Sequence, residues 1–219
     1  MKKYSSLLKY FGFFMLLYLL LFFLFSTTPV ASVINNTYRS VTTPVLESIF
    51  PKAYLKLEKD SPPESDIYTI RAVFTSKALI EEAQQAARQQ GSKKVDLKAQ
   101  EYDLYLHRLF TSFFLFLISL IIITPINWKQ KLLAILTGSI LFYGYTVFKI
   151  YIFLADLFNR SGLDIYSLSD TGGSIVQGIS YVIKSLGTSA LVVVIIWILT
   201  AFRKSNWKEI LKKVGEQSN

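Results

Sequence analysis

Four long intervals of this chain carry no charged residue, and that limits its fold more than any other feature. Crossing a hydrocarbon core takes about 20 mostly apolar residues, because a helix rises about 1.5 Å per residue over about 30 Å. The first interval runs from Tyr10 to Tyr38, with its apolar part at Tyr10–Phe25. The second, between Arg108 and Lys129, holds 20 uncharged residues. The third, between Lys131 and Lys149, holds 17 and continues past the lysine to Ala155. The fourth, between Lys184 and Arg203, holds 18. A buried helix of a water-soluble domain keeps a polar stripe, whereas Phe22–Phe25, Ile121–Ile123 and Val192–Ile196 have none. Intervals this long also exceed ordinary strand length.

The expected fold is therefore a mainly α membrane protein. Four transmembrane helices are expected, with a small extracytoplasmic α+β (β-β-α-β) unit between the first and second. The expected division is 1–26 for a cytoplasmic N-terminus and first helix, and 27–107 for the extracytoplasmic segment. The membrane domain follows at 108–203, with helices at about 108–126, 131–154 and 185–203 and an outer loop at 155–187. A basic tail closes the chain at 204–219. The alternative for the first span is a cleavable signal peptide, with Val30-Ala31-Ser32 near the cleavage point. Its apolar part is longer than a usual h-region, so an uncleaved anchor is expected.

A net charge of +9 raises nucleic-acid binding as a rival explanation. Mean hydropathy of +0.37 and 52% hydrophobic residues speak against it. The distribution of charge does too. The two tails and the short turn around Lys129 and Lys131 carry ten cations against two acids. Residues 27–108 carry eleven against ten, and 149–187 three against three. Cations concentrated beside the spans follow the positive-inside rule, so both termini are expected in the cytoplasm of a bacterial inner membrane. Trp128, Lys129, Lys131, Arg203, Lys204 and Trp207 are the expected interface anchors. Asn206–Val214 reads as an amphipathic helix on an anionic leaflet.

In the segment after the first span, Thr27–Phe50 reads as an extended or partly helical connector, with a short amphipathic helix at Val41–Phe50. Ala53–Lys59 and Ile67–Phe74 alternate and read as an antiparallel hairpin around Ser61–Ser65. Ser76–Gln90 reads as a helix capped by Ser76 and stopped by Gly91. Gly91–Lys94 reads as a turn and Val95–Ala99 as a third strand, with Gln100–His107 leading into the second span. A helix from about Ser174 is expected to run directly into the fourth span.

Little of this sequence points to chemistry. The chain has no cysteine, which excludes disulfides, thiolate metal sites and cysteine nucleophiles. Asp170-Thr171-Gly172 matches half of an aspartic peptidase pair, but that chemistry needs two such carboxylates, and a helix start explains it better. His107 is the sole histidine. Beside Tyr102, Asp103 and Arg108 it forms a candidate polar or interaction cluster, without a nucleophile to serve. Lys149, about 27 Å along the third helix from Lys131, reads as a snorkelling interfacial lysine. The other reading of Lys149 is a functional intramembrane cation. Asn35-Asn36-Thr37 and Asn159-Arg160-Ser161 fit the glycosylation pattern. No cofactor, metal or nucleic acid is expected. The expected partners are the lipid bilayer and either a membrane protein or further copies of the chain.

The arrangement around Thr124-Pro125 and Trp128-Lys129-Gln130-Lys131 resembles the small accessory membrane proteins of exosortase systems. The resemblance covers Tyr102 to about Phe158. It implies a helper beside a membrane processing or export enzyme. The enzyme itself is not resembled, since that family relies on a cysteine. The leading expectation is thus a non-enzymatic accessory or scaffold subunit. A small oligomeric transporter or channel subunit using Lys149, Gly138 and Gly144 stands second. A membrane enzyme using His107 with Asp103 or Asp170 stands third.

Overall fold

The computed structural model describes residues 4–59, 69–89, 99–163 and 165–204. It is mostly helical (77%), with one small antiparallel sheet. The elements run α1 (Tyr4–Phe25), α2 (Thr28–Ile49), β1 (Ala53–Lys59), β2 (Thr69–Ser76), α3 (Lys77–Gln89) and β3 (Gln100–Tyr105). A π-helical turn (His107–Thr111) then leads to α4 (Ser112–Ile123), α5 (Trp128–Arg160), α6 (Asp170–Lys184) and α7 (Leu186–Thr200). The chain forms two compact units. One comprises Met1–Thr27, Arg108–Thr146 and Ser185–Asn219, and the other Thr28–His107 with Val147–Lys184.

The first unit has the composition of a membrane domain. Leu8–Phe25 of α1 is an 18-residue window of mean hydropathy 2.1. Its outward side chains are apolar, with Leu8 70% and Phe23 77% exposed. Water disfavours such a surface and lipid does not. Among the described residues two helices, α1 and α5, are long and apolar enough to cross a membrane, or three if the α6–α7 pair counts as one broken span.

Of the four expected spans, the first and third coincide with α1 and α5, and the bounds of the helices differ from those expected. Over the second, expected at 108–126, the π-helical turn runs directly into the 12-residue α4, and the apolar helix Leu109–Ile123 is about 22 Å long. Thr124 ends it in an extended conformation (ψ 130°), as the residue before Pro125 must. The third does not stop at 154, since α5 runs 33 residues to Arg160, or about 50 Å. Its last turn is closed by Arg160 on Asp156 at 2.8 Å. Beyond it, Gly162 takes φ +66°, which reverses the chain at no steric cost. The outer loop expected at 155–187 is consequently helical over much of its length. The helix expected to run into the fourth span instead breaks at Ser185, which is extended (ψ 133°) and caps α7 by accepting the Gly187 N–H.

The core of this unit is Leu117, Ile121, Ala134, Phe142, Val193 and Ile196. Helices α4 and α7 approach α5 closely at Gly138, where a Cβ would stand 3.4 Å from Ile121 Cδ1 and 3.7 Å from Ile196 Cγ2. Trp197 Nε1 donates to Thr124 Oγ1 at 2.8 Å. The hydroxyls of Tyr145 and Ser189 share a hydrogen bond at 3.2 Å, and Lys131 Nζ donates to the Ile122 carbonyl. Helix α1 joins through Phe14 and Tyr18, whose rings meet Phe116 at 5.4 and 6.1 Å.

The second unit is built on the sheet, in the order β1-β2-β3. In β1, Ala53, Leu55 and Leu57 are buried as their alternation predicts. The hairpin forms with Ala53 opposite Ser76; its expected turn at Ser61–Ser65 lies outside the described residues. The third strand among the described residues is Gln100–Tyr105; of the expected Val95–Ala99, residues 95–98 lie outside the described residues, as do Gly91–Lys94 and Asn206–Val214. The segment expected as a connector is the 22-residue helix α2. Its buried face is Ala31, Asn35, Tyr38, Thr42 and Leu46, helical in spacing but too polar to announce itself. Pro29 falls in its first turn, where no N–H is required. Asn35 is buried, so it is no surface glycosylation acceptor.

Beneath the sheet lies an aromatic core. Phe158 meets Phe50 at 4.9 Å and Phe74 at 5.1 Å, and Phe50 meets Tyr166 at 5.9 Å. Full burial of each such phenylalanine stabilises by about 1.5–3 kcal/mol, which a unit with only three short strands needs.

Candidate functional site

The outer edge of the sheet brings together charged and aromatic groups. Arg71 is the one charged residue of β2, and register sets it opposite Asp103 on β3. The guanidinium reaches both carboxylates on the same face of β3, with Nη1 3.2 Å from Glu101 Oε2 and Nε 3.5 Å from Asp103 Oδ1. Residues 101, 103 and 105 alternate onto that face, which adds the 54%-exposed ring of Tyr105. Only Leu104 of β3 is buried. Arg71, Glu101, Tyr102, Asp103 and Tyr105 line a shallow depression.

Tyr102 faces the other way and lays its ring 4.4 Å from Phe153. Burial, followed by the nearby Tyr105 and Asp103, raises its phenol above the usual tyrosine value. The exposed ion pairs stabilise by only about 0.2–1 kcal/mol each. They do, however, place charge along β3, the last strand of the sheet among the described residues.

Of the expected cluster, Tyr102 and Asp103 are neighbours on β3. His107 and Arg108 lie in the π-helical turn after it, and their side chains are outside the described residues. Lys149 is on α5 and buried, 9% exposed. Asp170 opens α6, where Ser169 Oγ accepts the Gly172 N–H at 3.2 Å. That is the helix start expected of Asp170-Thr171-Gly172. Among the anchors, Trp128 begins α5 with 70% exposure, and Lys131 Nζ lies 5.2 Å from its ring. Lys129 follows Trp128 in the first turn, and Arg203 and Lys204 fall in a short 3₁₀ turn. Trp207 is outside the described residues.

Arg71 and Glu101 were not singled out from the sequence. The available signal was a lone arginine in a β-branched strand, but its partners depend on register. Among the described residues, no group of three or more His, Cys, Asp or Glu could hold a metal ion. The edge offers paired charges and the exposed ring of Tyr105. No family model, curated protein or solved structure matches the chain.

Proposed function

We propose that this chain is a non-enzymatic, membrane-anchored accessory or scaffold subunit. It presents its sheet-bearing unit, on the outer side of the cytoplasmic membrane, to a membrane protein partner in an envelope processing, export or assembly system. The observation that carries the reading is β3: an edge strand with one buried side chain, bearing Tyr105 and the Arg71–Glu101–Asp103 charges. Exposed edges are templates for another chain, and tyrosine beside arginine is favoured at interfaces. The apolar surfaces of α1 and α5 support the anchoring.

Purification of the tagged full chain in mild detergent tests the proposal. A stoichiometric partner is expected with the parent chain and lost with Arg71→Glu. A strictly monomeric chain without a co-purifying protein contradicts it.

A further inference from the structure

Helix α6 presents two unlike flanks to its surroundings. Its inward face, with Ser180 and Ile183, is buried. With about 3.6 residues per turn, Ser174, Gln177, Tyr181 and Lys184 fall together on one flank, where they line an open cleft beside Asp156 and Arg160 of α5. Ile175, Ile179 and Val182 fall on the opposite flank, and they are 57%, 39% and 57% exposed. Single apolar residues on a surface need no explanation, but a contiguous stripe marks an interaction. A helix in water also turns its apolar stripe inward. Here a serine is buried and three branched aliphatic side chains point out.

Two features mark the medium on the apolar flank as lipid. The first is continuity. Only Ser185 separates α6 from α7, an apolar helix whose Leu191, Ile195 and Leu199 are exposed as well. The second is height along α5. The anchors Trp128 to Lys131 precede its apolar stretch, and about 20 residues beyond them, near Tyr151, α5 leaves the hydrocarbon.

Helix α6 lies against the part of α5 that follows. Asn159 Nδ2 is 3.0 Å from where a Cβ on Gly173 would stand, and Lys184 Nζ is 4.6 Å from the Phe153 ring. At about 1.5 Å per residue, Asn159 stands about 12 Å and Phe153 about 3 Å beyond the hydrocarbon. The headgroup layer is about 5–7 Å deep on each side, so α6 descends from its outer border at Gly173 to its base at Lys184. A helix at that height, polar on one flank and apolar on the other, lies in the interface rather than across it.

We propose that α6 is an interfacial helix whose Ile175, Ile179 and Val182 seat the sheet-bearing unit on the lipid surface of the membrane. The polar flank and its cleft face water. The inference rests on the anchoring part of the proposed function and adds to it a second attachment, made by the sheet-bearing unit itself.

The chain has no cysteine, so single substitutions accept one nitroxide label each. The full chain carrying Ile175→Cys, Ile179→Cys, Val182→Cys, Gln177→Cys or Tyr181→Cys is labelled and reconstituted in vesicles of phosphatidylethanolamine and phosphatidylglycerol. Collisions of the label with oxygen, which concentrates in lipid, are compared with those of a water-soluble nickel chelate. Oxygen is expected to dominate at 175, 179 and 182, and nickel at 177 and 181. Each flank is read at more than one position, so the contrast survives the loss of a variant that does not fold. Nickel dominance on both flanks overturns the proposal. Protection of 175, 179 and 182 from both reagents also overturns it, since that would mark a protein neighbour. Phe23→Cys on α1 is the reference: oxygen dominance there confines a failure to α6, whereas nickel dominance there removes the anchoring as well.

Discussion

The indole N–H of Trp197 on α7 donates to the hydroxyl of Thr124, which itself donates to the Leu120 carbonyl at the end of α4. The bond joins residues 73 positions apart in sequence, at the point where Pro125 stops α4. The short apolar helix that ends at Ile123 is thereby tied to its neighbour by a polar contact. Such contacts substitute in lipid for the hydrophobic force that drives packing in water.

Trp197→Phe keeps the ring and removes the donor. It is expected to lower stability in detergent by about 0.6–1.7 kcal/mol, the range for interhelical hydrogen bonds in membranes. Thr124→Val is expected to cost at least as much. A double-mutant cycle by thermal unfolding should give a coupling energy that accounts for most of the Trp197→Phe effect; strict additivity would refute the coupling.

Gly138 is expected to tolerate alanine and reject leucine. A Cβ at 3.4 Å from Ile121 Cδ1 is an ordinary contact, whereas the further carbons of leucine enter the Leu117–Ile196 space. Overpacking of this kind costs about 1–3 kcal/mol. Thermal unfolding of both variants checks it, and equal midpoints would contradict the packing.

Phe158→Ala is expected to destabilise the sheet-bearing unit by about 3–5 kcal/mol, because its ring meets Phe50, Phe74 and Tyr166. Hydrogen exchange at β2 amides is the readout. Unchanged protection would mean that the aromatic cluster is not the core.

The raised phenol of Tyr102 predicts a pH dependence. A group whose folded value lies above its unfolded one, about 10 for tyrosine, contributes stability in full below that pH. The contribution is lost as pH rises through the folded value. Unfolding midpoints of the parent chain should therefore fall more steeply above about pH 10 than those of Tyr102→Phe. Parallel curves would contradict the burial against Phe153.

Legibility of the fold followed the strength of local signals. Ala53, Leu55 and Leu57 alternate, and α3 begins within one residue of the expected Ser76 and holds its alanines and glutamines through Gln89. The expected small α+β unit is present as a sheet with a helix between its second and third strands. Helix α2 was legible only at its end, from Val41, because its buried face includes Asn35, Tyr38 and Thr42, polar residues that make no apolar stripe. Strand β3 was illegible because Leu104 is its one buried side chain, leaving charges and tyrosines that look like an interfacial approach to a span. The break at Ser185 turns on one backbone ψ, set by a cap no hydropathy window can see. Within the site, Tyr102 and Asp103 stood out as a polar pair, whereas Arg71 joins them only through cross-strand register.

The central claim is that β3 faces a partner. A photo-crosslinking amino acid placed at Tyr105 in the full chain, in native membranes, tests it most directly, with the same group at Lys56 on β1 as the control. A discrete heteromeric adduct is expected from position 105, absent from position 56 and suppressed by Arg71→Glu. No adduct from position 105, or the same adduct from both positions, would contradict it.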